Sequence, residues 1–548
     1  MFRRLLYGMG SIARGRVTFC LIAVGAGICG VVLRCSSLGR SLWLDEAWAA
    51  NAASAHSLAG IFYYDAWLNT CPPLFLLLVR IAVTVFGLSN TVLRLVPSAM
   101  GILAGLFMLL FALRILLRQY ALLAFVLFVF SPTAVNYSRE LKQYSAEAAA
   151  TTAILLACAV YIEKASARRF WLLVATVTVG LLVGYGIAFL LPGIALMIWL
   201  CPVRGGISTK AGVYLSGRFA RAFLFAAIAG GILIGEYCVF VIPNSPAILR
   251  AAWAGKNAHV QSFAILAASE SYKFIGELPL NHRFQQQSIR LTVVGFTIIV
   301  GLALAWFRFR KGRRKWLEIQ IVCLLPCLLI IICDWFSWYP FTERTSLFAL
   351  PCLIALLISS LQLMSFLLLK RHRDQVRPFL DVMVLGAIII TLIAGRGQNY
   401  RLIDPVEDMD GAVSFLHAHV QPQDFLWVHA SCSEAFKLYA RMSNWRDAPA
   451  RFGHTAWPCC ARGIPASVIE RSSEALVRND FGNALPSNFA GRVWLLYTIS
   501  VAGDPQTMQT ILRERGCTET PTRPPAFIKI AVASFDCETR DATSSTVH

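Results

Sequence analysis

The sequence has few charged residues for its length. Asp, Glu, Lys and Arg make up only 15% of the 548 residues, hydrophobic residues make up 57%, and the mean hydropathy is +0.61. Soluble domains carry about 25% charged residues. The composition therefore excludes a mainly soluble protein and indicates a membrane protein with a modest soluble part.

The motifs of several enzyme classes are also missing. There is no Gly-rich phosphate loop, no His-Glu-x-x-His and no Gly-x-Ser-x-Gly. The 16 cysteines include no Cys-x-x-Cys pair with metal-ligand spacing, which argues against a zinc site. Chemistry driven by ATP, or carried by a serine or zinc centre, therefore has no support. A membrane enzyme of this composition would need a lipid donor that is already activated.

The net charge of +20 comes from short basic runs that lie between apolar segments. This distribution is typical of cytoplasmic loops in a membrane protein rather than of a surface for nucleic acid. The first apolar run, 17–34, is long enough to span a membrane, and no small-residue cleavage site follows it. We therefore predict a retained first helix with a cytoplasmic N-terminus.

Ten apolar segments are candidates for spans of about 20 residues. They are 17–34, 94–113, 119–133, 145–162, 170–201, 219–242, 289–307, 317–335, 345–368 and 378–395. If 170–201 is a hairpin that turns near 184–186, and 72–88 lies along the outer surface, the strong basic runs after these segments all face the cytoplasm. This arrangement has about 11 transmembrane helices and ends outside the membrane. Reversing both assignments also gives about 11, but it puts the two earliest basic runs outside.

The composition changes after about residue 396, where strand-like and helix-like segments alternate. The helix-like segments are 404–420, 433–442 and 505–515, and the strand-like segments are 425–429, 492–497 and 526–533. We predict a polytopic α-helical membrane domain over 1–395 and a small extracytoplasmic α/β domain over 396–548. In an oxidising compartment, the cysteines of this tail allow one or two disulfides and leave a thiol over. They are Cys432, Cys459, Cys460, Cys517 and Cys537.

Two adjacent carboxylates, Asp45 and Glu46, stand between tryptophans just after the first predicted span. A charge beside a membrane span is costly and usually has a function. The pair can supply a general base, or a metal ligand, for chemistry at the outer membrane surface. The alternative is that the pair caps a short helix that begins near Ala47.

The same topology places two further polar loops on the outer face. The first, 136–144, brings cations, a carboxylate and tyrosines close together: Tyr137, Arg139, Glu140, Lys142 and Tyr144. This mixture suits a phosphorylated, sugar-bearing substrate, and the alternative is a polar connector at the interface. The second contains Tyr339 and ends at Arg344, which can bind a phosphate with two hydrogen bonds or pair with Glu343.

Several stretches resemble the polytopic GT-C glycosyltransferases that use polyprenyl-phosphate sugars, such as protein O-mannosyltransferases and the lipid A aminoarabinose transferase. They are Leu42-Trp-Leu-Asp45-Glu46-Ala, Asn69-Thr-Cys71-Pro72-Pro73-Leu74, Phe86-Gly87-Leu-Ser89, Leu93-Arg94-Leu-Val-Pro97-Ser98 and Tyr137-Ser-Arg-Glu140-Leu-Lys142-Gln-Tyr144. The similarity is good over about residues 38–200 and thinner beyond. Cys71 stands where many relatives have His. Lys142 stands where many have Arg, which keeps a charge but loses bidentate phosphate binding.

The resemblance implies an inverting glycosyl transfer at the outer face of a bacterial cytoplasmic membrane. The donor would be a polyprenyl-phosphate sugar, and the acceptor a hydroxyl group of a glycan, lipid or protein. Some relatives need a divalent cation, Mg²⁺ or Mn²⁺, and others do not, so the metal requirement stays open. Any such metal would be bound at Asp45.

From the resemblance and the loops together we assign roles to nine residues. Asp45 is the general base, and Glu46 and Glu140 orient the acceptor or share a cation. The phosphate-binding residues are Lys142, Arg139 and Arg344, and further substrate contacts come from Tyr137, Tyr144 and Tyr339.

Two other functional classes were weighed against an enzyme. A transporter or lipid-linked sugar flippase would need ionisable residues deep in several spans, and its near candidates, Asp334 and Glu236, lie close to the outer ends of their segments. An assembly or sensor protein would leave the three charged loops without a purpose. The sequence therefore favours the enzyme.

Overall fold

The computed structural model describes residues 2–64, 71–201, 211–244, 314–336, 338–339, 344–368, 407–445, 447–453, 477–499, 504–520 and 525–538. Two predicted spans, 289–307 and 378–395, lie outside these residues, as do Cys459, Cys460 and Glu343. The described part is an assembly of apolar helices followed by a five-stranded sheet with its own helices.

Up to residue 368 the described chain is almost entirely helical. The helices are α1 (Phe2–Cys35), α2 (Leu44–Ala53), α3 (Leu58–Phe62), α4 (Pro73–Phe86), α5 (Asn90–Ile115), α6 (Arg118–Val129), α7 (Pro132–Tyr137), α8 (Tyr144–Glu163), α9 (Ala167–Val183), α10 (Leu191–Leu200), α11 (Ala211–Glu236), α12 (Arg314–Trp335) and α13 (Leu350–Leu368). Short 3₁₀ segments, Tyr185–Leu190 and Leu347–Ala349, precede α10 and α13. A π-helical turn, Tyr237–Val241, and a last turn, Ile242–Asn244, follow α11.

Serine begins four of these helices, because its side-chain oxygen accepts a hydrogen bond from an unpaired N–H of the first turn. Ser57, Ser89, Ser131 and Ser166 do this for α3, α5, α7 and α9. The cap at Ser131, with the proline after it, also splits the predicted span 119–133 into α6 and α7. Helix α6 therefore covers most of this candidate span and ends four residues before its predicted end.

Within the described residues, four helices are long and apolar enough to cross a membrane. They are Val17–Cys35, Asn90–Ile115, Tyr144–Glu163 and Gly217–Val241. Four more apolar helices are shorter: Pro73–Phe86, Arg118–Val129, Tyr185–Leu200 and Leu347–Gln362. The total of about 11 transmembrane helices stays a prediction.

The structure bears on the two segments that decide the topology. The apolar run 170–201 breaks at Gly184, between α9 and the 3₁₀ segment, where the sequence predicts a turn. Helix α4 has 14 residues, a length of about 21 Å, whereas the hydrocarbon core of a membrane is about 30 Å thick. Because α6 and α10, which lie in predicted spans, are shorter still, the surface position of 72–88 stays a prediction.

Helices α5 and α8 pack against each other, and the loop that leads into α8 lies directly on α5. A Cβ atom at Gly101 of α5 would come within 2.0 Å of Ser138 Oγ. One turn earlier, Ser98 Oγ donates a hydrogen bond to Ser138 O at 2.9 Å. Gly101 is therefore needed for the loop to sit this close to the helix.

Replacing Gly101 with alanine should lower the stability of the protein, because the added methyl group forces Ser138 to move. Overpacking of this kind costs about 1–3 kcal/mol. The matched control is Gly230→Ala in α11, where a Cβ would meet no atom within 4 Å. The measurement is the melting temperature of the purified protein in detergent. Equal values for the two variants would contradict the close approach of the loop and α5.

The C-terminal part of the described chain consists of a mixed sheet and the helices that pack on it. Its helices are α14 (Met409–His419), α15 (Ser433–Met442), α16 (477–484) and α17 (Asp504–Glu514), and its strands are β1 (Phe425–Val428), β2 (Ala450–Phe452), β3 (Gly491–Thr498), β4 (Thr518–Glu519) and β5 (Ile530–Cys537). The strand order is β2-β1-β3-β5-β4. Strands β2, β1 and β3 are parallel, and β5 and β4 are antiparallel to their neighbours.

The two faces of the sheet have different neighbours. On one face, Phe425, Trp427, Val493 and Leu495 pack against α16 and α17. The other face belongs to a single apolar cluster that also includes α14, α15 and the first outer loop of the membrane part. We call this cluster the shared core; its members include Leu42, Ala47, Phe75, Leu416, Leu426, Phe436, Leu438 and Trp494.

The strand predictions hold for β1 and β3, and the last strand lies later than predicted. It was expected over 526–533, but it runs over Ile530–Cys537. Lys529 has φ of 56°, a turn conformation that precedes the strand. A disulfide joins Cys517 to Cys537, and Cys432 is a buried thiol.

Candidate active site

Asp45 lies in the first turn of α2, and its carboxylate meets Arg344, which precedes α13. Arg344 Nη1 is 3.1 Å from Asp45 Oδ2, and the two side chains are 25% and 24% exposed. An ion pair that is open to solvent contributes about 0–1 kcal/mol. A substrate group can therefore replace either partner at low cost. Two residues that the sequence predicted from separate loops are in contact here.

The surroundings of Arg344 include most of the other predicted residues. Burial by itself would lower the pKa of its guanidinium, but Tyr144, Asp45, Tyr137 and Glu140 favour the charged form and raise the pKa overall. All three polar loops therefore converge on one arginine.

Glu46, adjacent in sequence, has a different environment and is fully buried. Arg94 of α5 binds it with two hydrogen bonds, from Nε to Oε1 at 2.9 Å and from Nη2 to Oε2 at 2.6 Å. The backbone N–H of Leu141 donates to Oε1 at 2.7 Å, and the N–H of Trp43 reaches Oε2 at 3.4 Å. Both carboxylate oxygens are therefore engaged within the protein.

The Arg94 guanidinium extends this network through the backbone oxygens of Leu38, Arg40 and Ser41. It joins the first outer loop to α5, while Glu46 joins both to the second loop. The predicted catalytic role of Glu46 does not fit this geometry, because neither oxygen is left for a substrate. The alternative given by the sequence fits better, since Glu46 caps the start of α2.

Glu140 and Lys142 lie in the turn between α7 and α8. Glu140 is 5% exposed, whereas Lys142 is half-buried, and its side chain makes no hydrogen bond or ion pair among the described residues. Burial raises the pKa of the nearby Cys71 thiol, Lys142 lowers it, and Asp45 raises it further. Lys142 and Asp45 are thus both close to Cys71. A cation in this position is suited to a phosphate.

The side chain of Arg139, unlike that of Lys142, is not accessible. It is fully buried, and its Nη2 donates to Asn136 Oδ1 at 2.6 Å. Burial, followed by the positive charge of Arg40, lowers the pKa of Arg139 to about 10. The predicted contact of Arg139 with a substrate phosphate does not fit this position, because the guanidinium is not accessible.

The three predicted tyrosines surround the site. The rings of Tyr137 and Tyr144 meet edge to face with centroids 5.5 Å apart. Tyr339 donates its hydroxyl to Thr345 O at 2.9 Å. Burial raises the pKa of Tyr339 well above its usual value, and Glu147 adds to the shift. Tyr339 is therefore a neutral group at neutral pH.

The described residues do not form a cation site. No group of three or more His, Cys, Asp or Glu side chains among them could hold a metal ion. Of the acidic pair, Asp45 is paired with Arg344 and Glu46 with Arg94. Among the described residues, Glu46 is therefore engaged by Arg94, and Asp45 is the carboxylate of the pair that is partly open to solvent.

The sheet domain holds the backbone just before the acidic pair. The N–H of Leu42 donates to Tyr439 Oη of α15 at 2.6 Å, and that hydroxyl donates to Asn90 Oδ1 at 3.0 Å. The N–H of Leu44 donates to Glu407 Oε2 at 3.1 Å. Polar contacts of the tail thus supplement the shared core in positioning the start of α2.

Replacing Tyr439 with phenylalanine should lower the stability by about 1–3 kcal/mol, because the Leu42 N–H and Asn90 Oδ1 lose their partner in a buried place. The matched control is Tyr63→Phe, which removes an exposed hydroxyl that donates to Val239 O. The melting temperature should fall for the first variant and stay within error for the second. An unchanged melting temperature for the Tyr439 variant would show that these hydrogen bonds do not hold the first outer loop in place.

Sequence reasoning missed two residues of this region. Arg94 was noted in a motif without a role, and its place at the start of a predicted span hid the buried pair with Glu46. Glu147 was counted as part of span 145–162. Its charge inside an apolar segment was the available signal, since such residues are rare and usually functional.

Comparisons with known proteins agree with this architecture. Residues 70–242 match the family described as dolichyl-phosphate-mannose-protein mannosyltransferase. No curated protein matches the sequence.

Solved structures match the fold over most of the chain. ArnT from Cupriavidus metallidurans, solved with bound undecaprenyl phosphate, has a TM-score of 0.52 at 13% identity, over 94% of this chain and 97% of that chain. The oligosaccharyltransferase of Archaeoglobus fulgidus, solved with a tethered acceptor peptide, has a TM-score of 0.51 at 14% identity, over 88% and 69%. At these identities the likeness concerns the fold. The chain therefore shares the fold of ArnT and of this oligosaccharyltransferase, and its residues 70–242 match a family described as dolichyl-phosphate-mannose-protein mannosyltransferase.

Proposed function

We propose that this protein is an inverting membrane glycosyltransferase that moves a sugar from a polyprenyl phosphate to a hydroxyl group of a glycan, lipid or protein. The observation that carries the proposal is the partly exposed Asp45 carboxylate, whose Oδ2 lies 3.1 Å from Arg344 Nη1. Lys142 and Asp45 also act electrostatically on the same Cys71 thiol. The undecaprenyl phosphate bound to ArnT supports the choice of donor.

In this proposal Asp45 is the general base. The acceptor hydroxyl gives its proton to Asp45 as its oxygen forms a bond to the anomeric carbon of the sugar. The bond between that carbon and the phosphate oxygen breaks, and the electron pair leaves with the polyprenyl phosphate. Lys142 and Arg344 stabilise the negative charge that grows on the phosphate. Attack opposite the leaving group inverts the anomeric centre.

The remaining predicted residues receive supporting roles. Glu140, Tyr137 and Tyr144 act electrostatically on Arg344, and in this proposal they and Tyr339 help to orient the acceptor. Glu46, through its pair with Arg94, is a positioning residue that keeps its neighbour Asp45 at the start of α2.

We further propose that the reaction takes place at the outer face of a bacterial cytoplasmic membrane. At the end of α5 away from the acidic pair, Arg114 Nη1 lies 2.7 Å from Glu163 Oε2, and Arg169 Nη1 lies 3.6 Å from the same oxygen. Basic residues gather at the cytoplasmic ends of spans. The disulfide Cys517–Cys537 also supports an oxidising compartment for the tail.

The test is transfer by the full-length protein in vesicles, supplied with labelled polyprenyl-phosphate hexoses and pentoses and with envelope extracts as acceptors. We expect release of polyprenyl phosphate from one class of donor. Lys142→Met should lower the rate by about 10-fold or more, whereas Lys164→Met, an exposed lysine at the opposite end of α8, should not. Absence of release from every donor would contradict the proposal and favour a flippase.

A further inference from the structure

Glu147 of α8 is a buried carboxylate that the proposed reaction leaves without a role. It is 2% exposed, and its Oε1 accepts a hydrogen bond from the N–H of Gly186 at 3.4 Å. The other oxygen, Oε2, is buried and has no hydrogen-bond partner among the residues that the structure describes. A buried carboxylate in this state lowers stability. Its presence therefore calls for a function.

The helix break at Gly184 is shaped around this carboxylate. A Cβ atom at Gly184 would lie 2.0 Å from Glu147 Cγ, so any other residue would displace the acidic side chain. Two positions on, a Cβ at Gly186 would lie 2.3 Å from Phe348 Cδ1. Because the two glycines have no side chains, the backbone can pass between Glu147 and Phe348. The N–H of Gly186 also binds one oxygen of the Glu147 carboxylate.

Glu147 borders the candidate active site. It lies three residues after Tyr144, so both side chains are on the same face of α8. Asp45, Glu140, Arg344 and Glu147 all act electrostatically on the Tyr144 hydroxyl.

A second neighbour joins Glu147 to the same site. Lys142, Asp45 and Glu147 all act electrostatically on the Cys71 thiol. Glu147 thus shares neighbours with the proposed base and with the proposed phosphate-binding lysine.

A second carboxylate lies near Tyr185. Glu236 of α11 and Glu147 both act electrostatically on the Tyr185 hydroxyl. Glu236 is 4% exposed, and neither of its oxygens has a hydrogen-bond partner within the described ranges. Two hydrogen-bond acceptors and a tyrosine hydroxyl suit a ligand that carries several hydroxyl groups.

We propose that Glu147 binds the sugar of the donor, accepting at Oε2 a hydrogen bond from a sugar hydroxyl. This inference rests on the proposed function. The phosphate of the donor already has cations at Lys142 and Arg344, so it does not need Glu147 as a partner. The sugar must lie between that phosphate and the acceptor oxygen near Asp45, which brings its hydroxyl groups to the face of α8 that carries Glu147.

The test compares Glu147→Gln with wild type in the full-length protein. Glutamine keeps an oxygen for Gly186, but it presents an N–H₂ donor where the sugar hydroxyl needs an acceptor. We expect kcat/KM for the sugar-bearing donor to fall about 10- to 100-fold. Inhibition by undecaprenyl phosphate, which has no sugar, should not change. The matched control is Glu163→Gln in the same helix, which should alter neither value.

Each other outcome overturns the inference in a recognisable way. Weaker inhibition by undecaprenyl phosphate would assign Glu147 to the lipid phosphate, and a changed KM for the acceptor alone would assign it to the acceptor. A structural role would lower the melting temperature of the ligand-free variant, whereas we expect it unchanged or raised. Normal transfer by Glu147→Gln would overturn this inference alone. No transfer and no donor binding by wild type would overturn the proposed function with it.

Discussion

Replacing Asp45 with asparagine should lower the rate of glycosyl transfer roughly 10²–10³-fold, the usual effect of removing a well-placed catalytic group. Asparagine has the same size as aspartate, but it cannot take the proton of the acceptor hydroxyl. The measurement is the release of polyprenyl phosphate under saturating donor. The loss should appear in kcat, because the proton moves only as the new bond forms.

The fold should survive this change. The Asp45–Arg344 pair is about one quarter exposed, so its loss should cost no more than about 1 kcal/mol. A matched control is Asp536→Asn, which breaks a partly exposed pair with Arg492 in the sheet domain and should leave transfer unchanged. Full activity of the Asp45 variant would remove this residue from the mechanism.

Replacing Glu46 with glutamine should destabilise the protein by about 3–5 kcal/mol, because it leaves the fully buried Arg94 charge without its partner. We expect little folded protein in detergent, seen as a lost monodisperse peak and a much lower melting temperature. The same substitution at Glu163, in a half-exposed pair with Arg114, should change the melting temperature little. A stable Glu46 variant with no transfer would instead support a catalytic role for Glu46.

A double variant separates charge from geometry at this site. Glu46→Gln with Arg94→Met removes both charges, and such replacements of buried pairs are often tolerated. Here the recovery should be partial, because Arg94 also donates to backbone oxygens of the first outer loop, among them Leu38 O at 2.8 Å. Those oxygens would remain buried without a donor.

Part of this site could be predicted from the sequence. The positions of the basic runs predicted that three distant loops lie on one face of the membrane, and the structure brings Asp45, Glu140 and Arg344 together. The basic runs indicate at which end of a span a residue lies, but they do not indicate which way its side chain points. That is why Arg139, which is adjacent to Glu140 in sequence, could not be recognised as buried, nor Glu46 as the partner of Arg94.

The missed and misplaced features have a common physical cause. A carboxylate inside an apolar run, such as Glu147, is visible in the sequence, but its neighbours Gly186 and Tyr339 lie about 40 and 190 residues further along the chain. The late start of β5 depends on the single turn conformation of Lys529. Tertiary contacts and backbone turns of this kind are not encoded in hydrophobic periodicity.

The shared core determines whether the membrane part and the tail can be separated. Helices α14 and α15 contribute Leu416, Phe436 and Leu438 to a cluster whose other half is Ala47 and Phe75 of the membrane part. Each part on its own would expose its side of this apolar cluster to solvent. We expect the tail to aggregate when it is expressed alone, because its apolar face is exposed. Without the tail, the membrane part would lose the contacts that position the start of α2. Limited proteolysis between the two parts should therefore leave fragments that still purify together.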